Sequence, residues 1–130
     1  MLILTIRTDR PEAEVGLFED HIQLAYETWL AHRELSITIH NKIENLLAGQ
    51  NKTFQDIKGI ICFAGPGSFT GLRIGITVGN ALAYGLQIPI VARKDPDWLH
   101  TGINNIAAGD NDKISVPEYG APVHITQPKK

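Results

Sequence analysis

Gly65-Pro66-Gly67-Ser68-Phe69-Thr70-Gly71-Leu72-Arg73-Ile74-Gly75 joins an apolar run to a helical one. Before it, Ile60-Ile61-Cys62-Phe63-Ala64 closes a stretch over 57–64 of strand length and no charge beyond Lys58. Residues 65–68 carry the chemistry of a sharp turn, and the pattern that follows predicts a long helix over 69–86. A strand, a Gly-rich turn and a helix start present unused backbone N–H groups to an anion. The spacing is G-x-G-x-x-x-G, which is neither the dinucleotide fingerprint nor a phosphate loop ending in Gly-Lys-Ser/Thr. Pro66 also removes one N–H from any cradle. A phosphate or nucleotide contact would therefore rest on Gly65, Gly67 and Ser68, aided by the charge of Arg73.

Within the helix, Gly71, Gly75, Gly79 and Ala83 recur every four residues. A glycine in a helix interior costs up to ~1 kcal/mol relative to alanine, so this stripe implies a close neighbour. Two neighbours suit it. The helix packs on its own sheet or on the first helix, or part of its surface docks a second subunit. Leu72, Ile76, Leu82 and Leu86 supply apolar surface for the sheet side.

Upstream, residues 2–8 read as a buried strand, 13–18 as a second and 22–30 as a third. Ile22, Leu24 and Tyr26 alternate there with polar or small residues. Short polar connections make these an antiparallel meander. The period then changes: Leu35, Ile39, Ile43, Leu46 and Leu47 share one helical face, predicting a helix over 36–48 with Ser36 as N-cap and Gly49 as its stop. Residues 88–92 form a last strand, parallel to 57–64 because a helix connects them. Three strands, helix, strand, helix, strand is the order of a ribonuclease-H-like α/β subdomain with a mixed five-stranded sheet and two main helices. From about Arg93 onward four prolines and no clear period point to a tail, with one late strand over 121–126. The expected division is a domain over 1–93 and a tail over 94–130.

The 130 residues carry 12 basic and 14 acidic side chains, a formal charge of −2 that gives no bulk attraction for nucleic acid or anionic membrane. The single cysteine, Cys62, sits in an apolar run and reads as a buried small hydrophobe. The start is charged too soon for a signal peptide and no segment reaches the ~20 apolar residues of a span, so a cytoplasmic protein is expected.

No catalytic constellation emerges. His21, His32, His40, His100 and His124 include no pair four apart, and His40 with Glu44 reads as a solvated pair. A two-metal nuclease needs converging carboxylates, yet residues 2–8 and 57–64 contain none. Ser68 lies in Gly-Pro-Gly-Ser-Phe, not in the nucleophile elbow G-x-S-x-G. No catalytic residue, metal or cofactor is expected.

Residues 65–75 resemble, position by position, the signature of the TsaB (YeaZ-like) family of the actin-like ATPase, glycoprotease-like superfamily. Residues 80–86, Asn80 to Leu86, and Arg33-Glu34-Leu35-Ser36 with the helix after them are similar too. The likeness covers about residues 1–93. It implies a non-catalytic subunit of tRNA threonylcarbamoyladenosine modification that docks a TsaD-like catalytic subunit through its two helices, at 36–48 and 69–86. On this chain the contact residues would be Ser36, Ile39, His40, Ile43, Leu72, Gly75, Ile76, Gly79 and Ala83. The resemblance further implies a homodimer in isolation, a TsaE-like ATPase as another partner, and tRNA met only indirectly. The alternative is a minimal nucleotide-binding ATPase of the same superfold. Two departures stand out. The family's Ile-Asp-Thr-Ser start is Ile6-Arg7-Thr8-Asp9 here, which replaces the strand-one acid with a cation. Ala121-Pro122-Val123-His124-Ile125 is similar to the family's usual end, as if the second subdomain between were deleted.

Overall fold

The computed structural model describes residues 1–31, 34–67, 69–94 and 96–113. Strand β1 (Leu2–Arg7) pairs antiparallel with β2 (Glu12–Glu19), and β2 with β3 (Ile22–Leu30). Helix α1 (Leu35–Gly49) leads through a short 3-10 turn at Phe54–Asp56 to β4 (Ile57–Phe63), which lies parallel to β1. Helix α2 (Phe69–Leu86) crosses to β5 (Ile90–Arg93), parallel to β4, and α3 (Trp98–Ala107) follows. The strand order is β3-β2-β1-β4-β5. This is the meander-plus-crossover architecture expected from the sequence, with β1 at the centre between β2 and β4, as suits a strand that is apolar on both faces.

The sheet separates two cores. On one face Leu4, Ile6, Val15, Leu17 and Ile60 pack with Ile39, Ile43 and Leu47 of α1 and Ile76 and Ala83 of α2. On the other, Ile3, Phe18, Ile61, Phe63 and Val91 pack with Trp98, Ile103 and Ile106 of α3. The expectation that nothing periodic follows Arg93 is thus corrected over Trp98–Ala107. Trp98, Gly102, Ile103 and Ile106 fall on one helical stripe and are buried. The prolines flank this helix without entering it. Gly102 lies against Ile61, where an added Cβ would stand 2.5 Å from Ile61 Cγ2, and one on Gly59 of β4 would stand 2.9 Å from Ile106 Cγ2. The late strand expected over 121–126 lies outside the described residues.

The ends of α1 depart from the sequence reading, whereas α2 keeps the expected bounds. Helix α1 starts at Leu35, with Glu34 as cap residue and no side-chain cap bond, so Ser36 is not the N-cap. Burial of Leu35 draws the start back by one residue, and Thr38 Oγ1 donates to the Glu34 carbonyl at 3.0 Å. At its end the left-handed residue is Asn51 (φ 58°), not Gly49. Lys52 N–H donates to Leu47 O and Asn51 N–H to Ala48 O, which is the Schellman arrangement. Helix α2 ends the same way on Gln87 (φ 59°), with Ile88 N–H bonded to Ala83 O. That closure delays β5 to Ile90. The outer edge of β5 is closed by side chains: Asn111 Oδ1 accepts from Ile90 N–H at 3.1 Å and Asp112 Oδ2 from Ala92 N–H at 2.9 Å.

The glycines of α2 lie against β1, β4 and β5. An added Cβ at Gly75 would collide with Thr8 Oγ1, and one at Gly79 would stand 2.5 Å from Cys62 Sγ and 3.1 Å from Ile90 Cδ1. Gly85, on the same helix, has nothing within 4 Å. Gly75→Ala is expected to destabilise by about 1–3 kcal/mol through overpacking, even though alanine is the better helix former. Gly85→Ala is expected to stabilise by up to ~1 kcal/mol. Urea unfolding of the two variants checks the sign difference, and equal effects would refute this account of the stripe.

Candidate functional site

The Gly-rich turn grips the end of β1. Thr8 follows the strand, buried; its Oγ1 donates to Gly71 O at 2.6 Å and its side chain fills the notch left by Gly75. Asp9 comes next, and an added Cβ on Gly67 would stand 2.5 Å from Asp9 Cβ. Gly65 has φ 113°, a left-handed value that only glycine adopts readily, and this turns the chain from β4 onto Asp9.

Arg7 and Asp9 form a bidentate pair: Nε donates to Oδ1 at 2.8 Å and Nη2 to Oδ2 at 3.2 Å. The side chains are only 14% and 7% exposed. The guanidinium carbon lies 3.9 Å from the centre of the Phe63 ring, a stacked cation–π contact. The position where the family resemblance would put a carboxylate is thus filled by a cation tied to its neighbour. Any anion brought to Gly65 and Gly67 would also meet the carboxylate of Asp9. Beside the pair, Thr8, Asp9, Arg10, Leu35, Thr70 and Ile74 line a cavity of ≈ 200 Å³.

The residues expected to contact phosphate do not form one cradle among the described residues. Gly65 is buried, Gly67 abuts Asp9, and Ser68 lies outside the described residues. Arg73 stands on the outward side of α2, where it lines a separate groove of ≈ 240 Å³ with Ser36, Thr70, Ile74, Thr77 and Val78.

The residues expected at a partner surface divide in two. Ser36 and His40 are exposed, the His40 ring stacking on Phe54 at 5.6 Å. Ile39, Ile43, Leu72, Gly75, Ile76, Gly79 and Ala83 are buried within the chain itself, so the expectation that the glycine stripe offers itself to another polypeptide is corrected. The reason is angular. At about 100° per residue, positions 71, 72, 75, 76, 79 and 83 fall within one arc, so the glycines and the apolar residues share a single inward face. What faces outward is Ile37 (71% exposed) on α1 and Tyr84 (81%) on α2, with Arg73, Thr77 and Ala81. The sequence reading missed Ile37 and Tyr84. Their signal was an apolar side chain opposite the buried stripe.

Cys62 confirms the expected burial. It is 1% exposed, its S–H points to Gly75 O at 4.0 Å, and loss of solvent pushes the thiol up to about 12.

With this geometry in view, the comparisons with known proteins identify the class. The chain belongs to the family described as TsaD: tRNA N6-adenosine threonylcarbamoyltransferase, whose model matches residues 29–100. Within that class it is TsaB/YeaZ-like. It is 37% identical over 93 residues to the tRNA threonylcarbamoyladenosine biosynthesis protein TsaB of Bacillus subtilis (strain 168), a match covering 71% of this chain and 40% of that protein. It is 34% identical over 91 residues to TsaB of Escherichia coli (strain K12), covering 70% and 39%. YeaZ from Pseudomonas aeruginosa superposes with a TM-score of 0.67 at 28% identity, covering 72% of this chain and 44% of that one. The chain spans about two fifths of the length of the curated relatives it matches. Its fold is the actin-like, ribonuclease-H-like α/β fold.

Two outcomes follow from the buried groups. Arg7→Ala strands the Asp9 carboxylate and is expected to cost about 3 kcal/mol. In a double-mutant cycle Arg7→Ala with Asp9→Ala should cost clearly less than the two single changes summed, whereas simple additivity would deny the pair. Cys62 should resist an aqueous thiol reagent at pH 8 until the protein unfolds, and rapid labelling of the native chain would show that β4 is not sealed.

Proposed function

We propose that this chain serves tRNA threonylcarbamoyladenosine modification as a non-catalytic subunit, docking a TsaD-like catalytic protein through the outward faces of α1 and α2. The observation that carries the proposal is the pair of exposed apolar side chains, Ile37 and Tyr84, on the two helices that also share the groove between Ser36 and Arg73. Exposed large apolar side chains, with an arginine on the same side of α2, are of the composition found in interface cores. The similarity to TsaB proteins supports the pathway, and the match to the TsaD family is in keeping with a related protein as partner. A binding role is favoured over catalysis because Arg7, held by Asp9 and Phe63, takes the strand-end position.

The contact surface proposed here differs from the buried stripe. Ser36, Ile37 and His40 would face the partner from α1, and Arg73, Thr77 and Tyr84 from α2. Ile39, Ile43, Leu72, Gly75, Ile76, Gly79 and Ala83 would support those helices from beneath. Two copies of the chain would meet through the same faces, so self-pairing and partner docking would compete. A TsaE-like ATPase would join through the catalytic subunit, and tRNA would be met indirectly. Among the described residues no helix is long and apolar enough to cross a membrane, and a place in the cytoplasm is part of the same proposal.

Co-expression with the TsaD-like protein of the same organism, followed by size-exclusion chromatography, tests the reading. The two chains should co-elute. Ile37→Asp and Tyr84→Asp should each weaken the pair at least ~10-fold while leaving the melting temperature within about 2 °C of the parent. Undiminished co-elution of both well-folded variants would rule out this surface. Tight binding of magnesium-ATP by the isolated chain would favour the ATPase alternative instead.

A further inference from the structure

On the side of the sheet opposite α1 and α2, the tight turn between β2 and β3 meets the outer side of α3. His21 leaves that turn, and its Nε2 lies 3.0 Å from Asn104 Oδ1. A carboxamide oxygen only accepts, so Nε2 is the donor in this contact, and in the neutral ring Nδ1 is the nitrogen with the lone pair. His100 lies four residues before Asn104, on the same face of α3. The His21 and His100 ring centres are 5.2 Å apart, with planes inclined by 39°. Both side chains are exposed, so neither is held for its part in the core.

That separation has a chemical meaning. Two imidazoles bound to one tetrahedral cation through nitrogens at ~2.0–2.1 Å have ring centres about 5 Å apart. The contact to Asn104 is of the kind that orients a ligating histidine, in which the second ring nitrogen donates to an oxygen and thereby selects the tautomer. The nearby carboxylates are engaged elsewhere, Glu19 and Asp20 with the Met1 ammonium.

We propose that His21 and His100 form a two-imidazole site for a borderline divalent transition cation such as Zn²⁺ or Ni²⁺. Asn104 is a positioning residue for the His21 ring, and water completes the coordination shell. Because the two ligands come from the β2–β3 turn and from α3, the bound cation staples that helix to the sheet. This site lies on the other side of the sheet from the proposed docking faces and does not depend on them.

Isothermal titration of the full 130-residue chain with NiCl2 or ZnCl2 tests the proposal, with thermal unfolding as a second readout. One cation per chain should bind. The melting temperature should rise by about 5 °C when free cation is ten times Kd, and EDTA should reverse the rise. His21→Gln and His100→Gln should each weaken binding at least tenfold, Asn104→Ala should weaken it less, and His40→Gln should leave it unchanged. The metal-free melts of the His21 and His100 variants should match the parent, which separates loss of a ligand from loss of fold. Absence of binding up to about 1 mM cation, or binding that survives both glutamine changes, would overturn the proposal.

Discussion

The near approach of α2 to the sheet governs the rest of this structure. Thr8, Cys62 and Ile90 come from three neighbouring strands, and each occupies space that a methyl group on the helix would need. The helix gives up intrinsic propensity at Gly75 and Gly79 and gains dispersion contact along its whole length. That contact sets where the preceding turn must run. Once Gly71 and Gly75 receive Thr8, Gly67 is brought onto Asp9, and the Gly-rich turn becomes a clamp on the end of β1. A turn whose position before a helix left room for an anion contact is occupied with holding a strand.

The same clamp explains the chemical character of the β1 terminus. Asp9 is pinned by the turn, Arg7 is laid across Phe63, and the two charges neutralise one another with little water. A charge pair of this sort is costly to desolvate and contributes little net stability. Its effect here is on chemistry, because the strand end offers a cation where metal or phosphate chemistry would want a carboxylate. That chemistry is in keeping with the binding role proposed above, and the inward glycines hold α2 flat against the sheet so that its other side faces outward.

Much of this fold was legible in residue order alone. Period two over 22–30, the apolar runs over 2–8 and 57–64 and the shorter stretches over 13–18 and 88–92 led to the five strands, and spacing led to α1 and α2. Helix α3 was obscured because its stripe is broken by Gly102, a residue chosen to fit Ile61 and not to signal a helix. The stop of α2 at Leu86 was read correctly, but the left-handed residues that close both helices were not. Asn51 and Gln87 adopt the left-handed conformation because the Schellman bonds hold them there, and neither residue type announces this as glycine does. At the candidate site the glycine stripe correctly announced a close neighbour. Its identity could not be read without the register of β1, which brings Thr8 to the helix. Ile37 and Tyr84 were passed over because a single exposed apolar residue is unremarkable until the direction of its helix face is known.

The closure of β5 by Asn111 and Asp112 sets a limit on how this sheet can grow. Among the described residues, the N–H groups that β5 turns outward are already spent on two side chains, and β3 alone keeps an open ladder. A sheet with one free margin can add a strand there, but the newcomer, if it is a second copy, presents its own sealed margin outward. Among the described residues, an asparagine and an aspartate thus leave β3 as the one margin where another strand could be zipped on.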